Sequence, residues 1–196
     1  NTKIGCKYNK EFYSDVIDRF GVSHQGVHWK SKYTQYMRVE VLTSFIIDDI
    51  KESKIVDAGC GFAEYYKFLD KYNILPKKYI GIDIEEKMIQ LCKKRLPNES
   101  FFIKDILEEK LLNADYYICS GALNILTKEE MFLFIKKCYV ASNKGFVFNF
   151  LKNETLNNVD YNEILGFCKS INKNIIVKNN YLENDISVYL KKHLTN

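Results

Sequence analysis

The feature that most constrains the fold is a regular alternation of strand-like and helix-like segments that begins near residue 54. Short runs rich in Ile, Val, Tyr and Phe are separated by longer segments with helical periodicity. This alternation is typical of β-α units, whose strands lie parallel in one sheet with helices on its faces. The predicted strands span 54–58, 78–83, 100–105, 115–121 and 144–151, and the predicted helices span about 62–72, 85–96, 127–140 and 161–171.

The C-terminal segment breaks this alternation. Two β-rich runs, NIIVKNN (174–180) and ENDISVYL (183–190), follow one another with no helix between them. Strands joined by so short a connection pair antiparallel. The chain has 196 residues, enough for one domain. The sequence therefore predicts a single α/β domain with a doubly wound, Rossmann-like sheet of about seven strands, mostly parallel with an antiparallel C-terminal strand.

Two different patterns precede the first strand. EFYSDVIDRF (11–20) is typical of a short helix, whereas GVSHQGVHWKSK (21–32) has the glycines of a loop. From Tyr33 to about Glu52, apolar residues recur at helical spacing. We expect residues 1–32 to form an N-terminal extension or lid, and residues 33–196 to form the main domain.

Composition narrows the range of partners. The chain is 46% hydrophobic but has no run that approaches 18 apolar residues, and its N-terminus lacks the apolar core of a secretion signal. We therefore expect a cytoplasmic protein without a membrane partner. The net charge of +4 comes with scattered lysines, so nucleic acid is not an expected partner. The six cysteines include no CxxC pair, and no metal site is predicted.

The residues after the predicted strands carry the functional pattern, because ligands of a doubly wound sheet bind beyond the carboxyl ends of its strands. Gly59 and Gly61 follow the first strand and let the backbone turn tightly against a ligand. A plain turn uses glycines in the same way, so this pair alone is weak evidence. Asp83 ends the second strand, where a carboxylate can accept hydrogen bonds from ribose hydroxyls. Together these residues predict a ligand that contains a nucleoside.

Two acidic residues discriminate between the ligands that such a loop can hold. A dinucleotide loop has the pattern G-x-G-x-x-G, and Glu64 stands where its last glycine would be. A carboxylate there opposes the binding of a pyrophosphate at the helix N-terminus. Asp57, before the first glycine, adds a second negative charge. The pair favours a ligand with a cationic end, such as the ammonium and sulfonium of S-adenosylmethionine.

These segments resemble the motifs of class I S-adenosylmethionine-dependent methyltransferases. VDAGCGFAEY (56–65) is similar to the first motif of that family, and YIGIDIEEKMI (79–89) is similar to the second. FIKDI (102–106) and YYICSGALNIL (116–126) resemble the motifs that follow the third and fourth strands. The resemblance covers about 54–191 and implies a methyltransferase that uses S-adenosylmethionine. HWKSKYTQYMRVEVL, FVFNFL and NNYLENDISVYL further resemble small, stand-alone methyltransferase-like proteins of uncertain substrate.

The resemblance implies a role for each matching position. The methionine part of the methyl donor would be held by the loop and its neighbours, namely Asp57, Gly59, Cys60, Gly61, Ser120 and Gly121, with Arg38 and Tyr33 at its carboxylate. The adenosine part would be held by Asp83 at the ribose, Ile84 beside the adenine, Asp105 at its amino group and Ile106 on its ring. Ala63 departs from the family pattern, which has a third glycine there, and we expect slightly tighter packing from its methyl group.

The acceptor is less defined than the methyl donor. Methyl transfer from a sulfonium requires alignment and exclusion of water more than a general base, so no catalytic residue is predicted. Candidate residues for the acceptor pocket are His28, Trp29, Asn124 and Asn149. SGAL replaces the NPPY-type motif of enzymes that methylate nucleobase amino groups, and a small-molecule acceptor is the leading expectation.

Other interpretations remain open at the level of sequence. The chain could be a non-catalytic protein of the same fold that binds S-adenosylmethionine or S-adenosylhomocysteine, or a nucleotide-dependent oxidoreductase, which Glu64 disfavours. Asp105 could instead cap a following helix, Asp57 could be a turn residue, and Arg38 could be a solvated side chain.

Overall fold

The strands form one continuous sheet. A computed structural model describes residues 24–153 and 158–193 of the chain, with side chains from residue 31 onward. The strands are β1 (Lys54–Ala58), β2 (Lys78–Asp83), β3 (Ser100–Ile103), β4 (Ala114–Cys119), β5 (Ser142–Leu151), β6 (Ile175–Lys178) and β7 (Asp185–Lys191). Their order is β3-β2-β1-β4-β5-β7-β6. Strands β1 to β5 are parallel, and β7 is antiparallel to both β5 and β6. The predicted fold class is confirmed.

The helices alternate with the strands as the sequence predicts. They are α1 (His24–Ser44), α2 (Glu64–Lys71), α3 (Glu86–Arg95), α4 (Lys128–Ala141) and α5 (Tyr161–Ile171), with short 3-10 turns at Ile50–Glu52 and Ala122–Ile125. At the start of α4, Thr127 Oγ1 accepts a hydrogen bond from the Glu130 N–H, and the Glu130 side chain accepts one from the Thr127 N–H. The capping box expected from the sequence is therefore present.

The segment before β1 differs from the prediction in two respects. Residues 24–32 are helical rather than a loop, because a glycine such as Gly26 costs only about 1 kcal/mol inside a helix. Helix α1 ends at Ser44 rather than near residue 52. After Ser44 the chain continues in turns, and Ile46 and Ile50 are buried there. Their spacing therefore resembles that of a helix in the sequence although the α-helix has ended. The short helix expected at 11–20, and most of the expected extension or lid, lie outside the described residues.

Helices cover both faces of the sheet. On one face, α4 and α5 pack over Phe146, Phe148 and Phe150, which alternate along β5. On the other face, α1, α2 and α3 pack over residues such as Ile55 and Val147. Within the described residues, no helix combines the length and apolar composition needed to cross a bilayer.

The topology sets the position of the site. The chain runs outward from β1 through β2 to β3, then returns to the opposite side of β1 at β4. The carboxyl ends of β1 and β4 therefore flank the point at which the winding direction reverses, and this is where a crevice opens in folds of this kind.

Candidate functional site

A cleft of about 540 Å³ opens at the carboxyl edge of the sheet. Four groups of residues line it: the glycine loop after β1, the end of β2 with the start of α3, the loop after β3, and the turn after β4 with the inner face of α4. They are Gly59, Gly61, Asp83, Ile84, Glu85, Met88, Lys104, Asp105, Ile106, Leu107, Ala122, Ile125, Leu126, Glu130 and Phe134. Six of the residues proposed from the sequence thus lie together in one cleft: Gly59, Gly61, Asp83, Ile84, Asp105 and Ile106.

The loop after β1 needs its glycines. Gly59 and Gly61 have φ values of +72° and +52°, a conformation that L-residues rarely adopt. A Cβ at Gly59 would also lie 3.0 Å from the Cβ of Ala122, in the turn after β4. Glycine at this position therefore lets the β1 loop and the β4 turn approach each other at the floor of the cleft. Cys60, between the glycines, donates its N–H to Ile82 O; it is buried and is not among the residues that line the cleft.

Asp83 organises the same loop from β2. One carboxylate oxygen accepts a hydrogen bond of 2.9 Å from the Gly61 N–H, and the other accepts one of 2.9 Å from the Glu85 N–H. An ionised carboxylate has about four lone-pair sites, so both oxygens can still accept a hydrogen bond from a ligand. Asp83 lines the cleft in the position where the sequence predicts a ribose-binding acid.

Ala63 and Glu64 form the junction between the loop and α2. Ala63 is fully buried and adopts a left-handed conformation with φ 60°. That conformation costs a non-glycine residue about 1–2 kcal/mol, so the departure from the family pattern adds backbone strain to the tighter packing we expected. The Glu64 carboxylate forms an exposed ion pair of 2.8 Å with Lys67. Its negative charge, which disfavours a pyrophosphate, is therefore partly compensated.

Asp57 lies beneath the glycine loop rather than on the wall of the cleft. It is only 4% exposed, and the Tyr79 hydroxyl donates a hydrogen bond of 2.5 Å to its Oδ2. Burial raises the pKa of Asp57 to about 7; the hydrogen bond from Tyr79 lowers this pKa and the nearby charge of Asp83 raises it. At neutral pH the carboxyl therefore lies near the midpoint of its titration. It is a buried polar group rather than a plain turn residue.

The loop after β3 forms the far wall of the cleft. Asp105 Oδ1 accepts a hydrogen bond of 2.9 Å from the Leu107 N–H, which closes a turn. Residues 104–113, all of which the structure describes, contain no helix before β4 begins. The cap interpretation of Asp105 therefore does not apply. Ile106 is buried in the wall, whereas Ile84 stands 62% exposed on the rim. These two side chains could hold a flat ring between them.

The turn after β4 is tied to β5 by two asparagine side chains. Asn149, which is buried, bonds to the Gly121 N–H and to Ser120 Oγ. Asn124 accepts the Leu151 N–H at 2.9 Å and donates to Gly121 O. Neither asparagine lines the 540 Å³ cleft, although both were expected near the acceptor. Both instead hold the backbone of the turn in place.

Arg38 makes a strong contact that the sequence does not reveal. Its Nε and Nη2 donate to the two carboxylate oxygens of Asp185 at 2.6 and 3.2 Å. Asp185 begins β7 and is almost fully buried, so this pair fastens α1 to the carboxyl edge of the sheet. The guanidinium is therefore not an ordinary solvated side chain, and two of its N–H groups are occupied.

Other parts of the site fall outside the sequence-based expectations. The side chains of His28 and Trp29 lie outside the described residues. Glu130 and Phe134 line the cleft from α4 but were not singled out. Their spacing of four residues on one helix face was the signal that could have found them. The described ranges contain no cluster of His, Cys, Asp or Glu suited to a metal ion.

The comparisons with known proteins agree with this geometry. Residues 55–145 match the family described as "Methyltransferase domain". No curated protein matches the chain in sequence. The fold is similar to magnesium protoporphyrin IX methyltransferase from Synechocystis PCC 6803 with bound S-adenosylhomocysteine, with a TM-score of 0.66 and 13% identity over 94% of each chain. It is also similar to a TehB-like S-adenosylmethionine-dependent methyltransferase from Corynebacterium glutamicum, with a TM-score of 0.60 and 16% identity over 77% of this chain and 88% of that chain.

At these identities the structural likeness establishes the fold: a seven-stranded doubly wound sheet shared with methyltransferases. The family match over residues 55–145 covers β1 to the start of β5, which includes the glycine loop and Asp83. Residues 55–145 are therefore assigned to the methyltransferase domain family, a family of enzymes.

Proposed function

We propose that this chain binds S-adenosylmethionine along the carboxyl edge of the sheet and transfers its methyl group to a small-molecule acceptor. The observation that carries the proposal is the cleft itself, which brings together two glycines at positive φ, the Asp83 carboxylate and the Asp105–Ile106 wall. Its volume of about 540 Å³ gives room for an adenosine with the chain that it carries.

Different residues of the cleft would bind different parts of S-adenosylmethionine. Asp83 would accept hydrogen bonds from the ribose hydroxyls, and the adenine would lie between Ile84 and Ile106 with Asp105 at its amino group. The methionine part would pass the bare backbone of the glycine loop toward Ser120 and α1. The buried Asp57 would add negative charge beneath the cationic end when it is ionised.

The reaction needs little further chemistry from the protein. A lone pair of the acceptor atom forms a bond to the methyl carbon, while the electron pair of the carbon–sulfur bond moves onto sulfur and leaves S-adenosylhomocysteine. The sulfonium is already activated, so the protein aligns the two reactants and keeps water away. A base is required only for an acceptor that must lose a proton.

Ligand-dependent thermal stability tests the binding step. We expect S-adenosylmethionine and S-adenosylhomocysteine to raise the melting temperature, and NADH to leave it unchanged. Asp83→Ala should weaken S-adenosylhomocysteine binding at least about tenfold, since it removes charge-assisted hydrogen bonds. Asp70→Ala, an exposed aspartate of α2, is the matched control and should bind like the wild type. Stabilisation by NADH alone, or by none of the three ligands, would contradict the proposal.

Turnover separates an enzyme from a non-catalytic binding protein. The chain is incubated with methyl-labelled S-adenosylmethionine and, in separate reactions, with the small-molecule fraction and the heat-inactivated macromolecular fraction of a cell extract. We expect label in small products, and Asp83→Ala should abolish it. Binding without any label transfer would favour the non-catalytic alternative, and label in macromolecules alone would overturn the proposed acceptor class.

A further inference from the structure

Asn149 connects the end of β5 to the turn after β4. It is 1% exposed. Its Oδ1 accepts a hydrogen bond of 2.8 Å from the Gly121 N–H, and its Nδ2 donates one of 3.0 Å to Ser120 Oγ. A single buried amide therefore fixes two consecutive residues at the carboxyl end of β4.

These contacts exclude one direction for the Ser120 hydroxyl hydrogen. A backbone N–H can only donate, so the atom of Asn149 that faces Gly121 must be the oxygen. The amide nitrogen then faces Ser120, and it also can only donate. Ser120 Oγ accepts at that position, and its hydrogen must point elsewhere. Among the described residues, the Ser120 hydroxyl has no acceptor.

The alternation of side chains along the strands shows which side of the sheet Ser120 and Asn149 face. Ile118 and Val147 lie two residues before them in β4 and β5, and both pack on the face that α1 covers. Ser120 and Asn149 therefore point toward the same face. Ser120 is half-buried one residue beyond the end of β4 and is not among the residues that line the 540 Å³ cleft; the methionine part of S-adenosylmethionine is proposed to extend from the cleft toward it.

We propose that Asn149 is a positioning residue that commits the Ser120 hydroxyl to donate a hydrogen bond to the carboxylate of the methionine part. The inference rests on the proposed function. The ammonium group of the same part has only donors and cannot accept the hydroxyl hydrogen, so the carboxylate is the charged group of the methionine part that can accept it. Two N–H groups of Arg38 are already occupied by Asp185, which leaves room for a second partner at that carboxylate.

Two ligands isolate this contact. S-adenosylhomocysteine carries the amino-acid part, whereas 5′-methylthioadenosine lacks it. Calorimetry should show that Ser120→Ala weakens S-adenosylhomocysteine about ten- to a hundredfold and changes 5′-methylthioadenosine affinity by less than about threefold, because only a charge-assisted hydrogen bond is lost. Ser120→Thr keeps a hydroxyl and should retain the wild-type preference between the two ligands.

Asn149→Asp tests the positioning role. A carboxylate can still accept the Gly121 N–H, but it also accepts from Ser120 and so turns the hydroxyl inward. We expect the same selective loss for S-adenosylhomocysteine, and no further loss in the double variant with Ser120→Ala. Lowering the pH from about 8 to about 5.5 should restore part of the preference in N149D relative to the wild type at the same pH, because a protonated carboxyl donates to Ser120 as the amide does. Comparison with the wild type at each pH removes the contribution of Asp57, which titrates near pH 7 in both proteins.

The contrary outcomes are distinct. If N149D weakens the affinity for both ligands equally, Asn149 has only a structural role. If N149D still lowers the affinity for S-adenosylhomocysteine in the Ser120→Ala background, the new charge acts on the ligand directly. Either result overturns the inference. If N149D does not fold, Asn149→Ser replaces it, since the shorter side chain cannot reach both partners and the same selective loss is expected. A folded wild-type chain that binds neither ligand would contradict the proposed function itself.

Discussion

At the scale of single residues, the site combines strained and desolvated groups. Ala63 holds a left-handed conformation, and Asp57 is a buried acid with one hydrogen bond from Tyr79. Such features reduce stability and persist where the surrounding structure holds them. Of the two residues, Asp57 reduces stability at neutral and higher pH more than Ala63 does, because burial raises the pKa of its carboxyl to about 7.

Asp57 should make stability depend on pH in a defined direction. Its pKa is raised from 3.8 to about 7 on folding, so the folded chain binds the proton more tightly than the unfolded chain. The stability linked to that proton is present below about pH 4 and lost as the pH rises through about 7. We expect Asp57→Asn, which keeps an oxygen for Tyr79, to increase the free energy of unfolding at about pH 8 by up to about 4 kcal/mol.

Urea unfolding of the wild type and of Asp57→Asn at a series of pH values checks this expectation. The difference between the two proteins should shrink as the pH falls toward about 4, because the wild-type carboxyl is then protonated in both states. A difference that stays constant with pH would show that packing, rather than ionisation, accounts for it.

At the scale of elements, the start of α4 shapes the cleft. The capping box fixes the first turn of the helix, and Glu130 belongs both to this box and to the lining of the cleft. Phe134, one turn further along, completes the wall. The local sequence signal TKEE thus sets where an entire helix begins and which of its residues reach the site.

Removing the cap should have a measurable cost. Thr127→Ala deletes the oxygen that accepts the Glu130 N–H, and we expect a loss of about 1 kcal/mol in the free energy of unfolding. Thr127→Ser keeps that oxygen and is the matched control, with a stability close to that of the wild type. Thermal or urea unfolding measures both, and an equal loss in the two variants would point to the missing methyl group instead of the cap.

At the scale of the whole molecule, the approach of β7 to β5 joins the C-terminal hairpin to the parallel sheet. Gly145 near the start of β5 has φ 154°, and a Cβ there would lie 2.5 Å from Leu190 O of β7. The ladder between β5 and β7 runs from Gly145 to Leu151 without interruption. The hairpin can therefore approach the parallel strands closely only while residue 145 lacks a side chain.

A pair of glycine substitutions tests this junction. Gly145→Ala must displace backbone, and we expect a loss of more than about 2 kcal/mol in stability or a failure to fold. Gly166→Ala places its methyl group in open space on α5 and should stabilise by about 0.5–1 kcal/mol. Unfolding curves compare the two, and a Gly145→Ala variant as stable as the wild type would contradict the close-approach argument.

The sequence predicts the features that local patterns encode and misses those that depend on contacts between distant elements. Element type and order follow from local periodicity, and the bounds of β1 and β2 are those expected. The positions of Gly59, Gly61 and Asp83 at one cleft follow from the rule for parallel strands. The pairing of Arg38 with Asp185 joins residues far apart in the chain, and the burial of Asp57 depends on its packing beneath the loop. No local pattern encodes either, because each arises from how distant elements meet.

The two hydrogen bonds that Asp83 accepts have a consequence for the thermodynamics of binding. The Gly61 N–H donates to a side chain of the same chain, that of Asp83, so this hydrogen bond restricts the conformational freedom of the glycine loop as part of the fold. Ordering a flexible loop would otherwise subtract from the affinity of whatever enters the cleft. Because Asp83 orders the loop on folding, a ligand that enters the cleft loses less affinity to loop ordering. The same carboxylate would then serve twice, once to order the loop and once to hold the ribose.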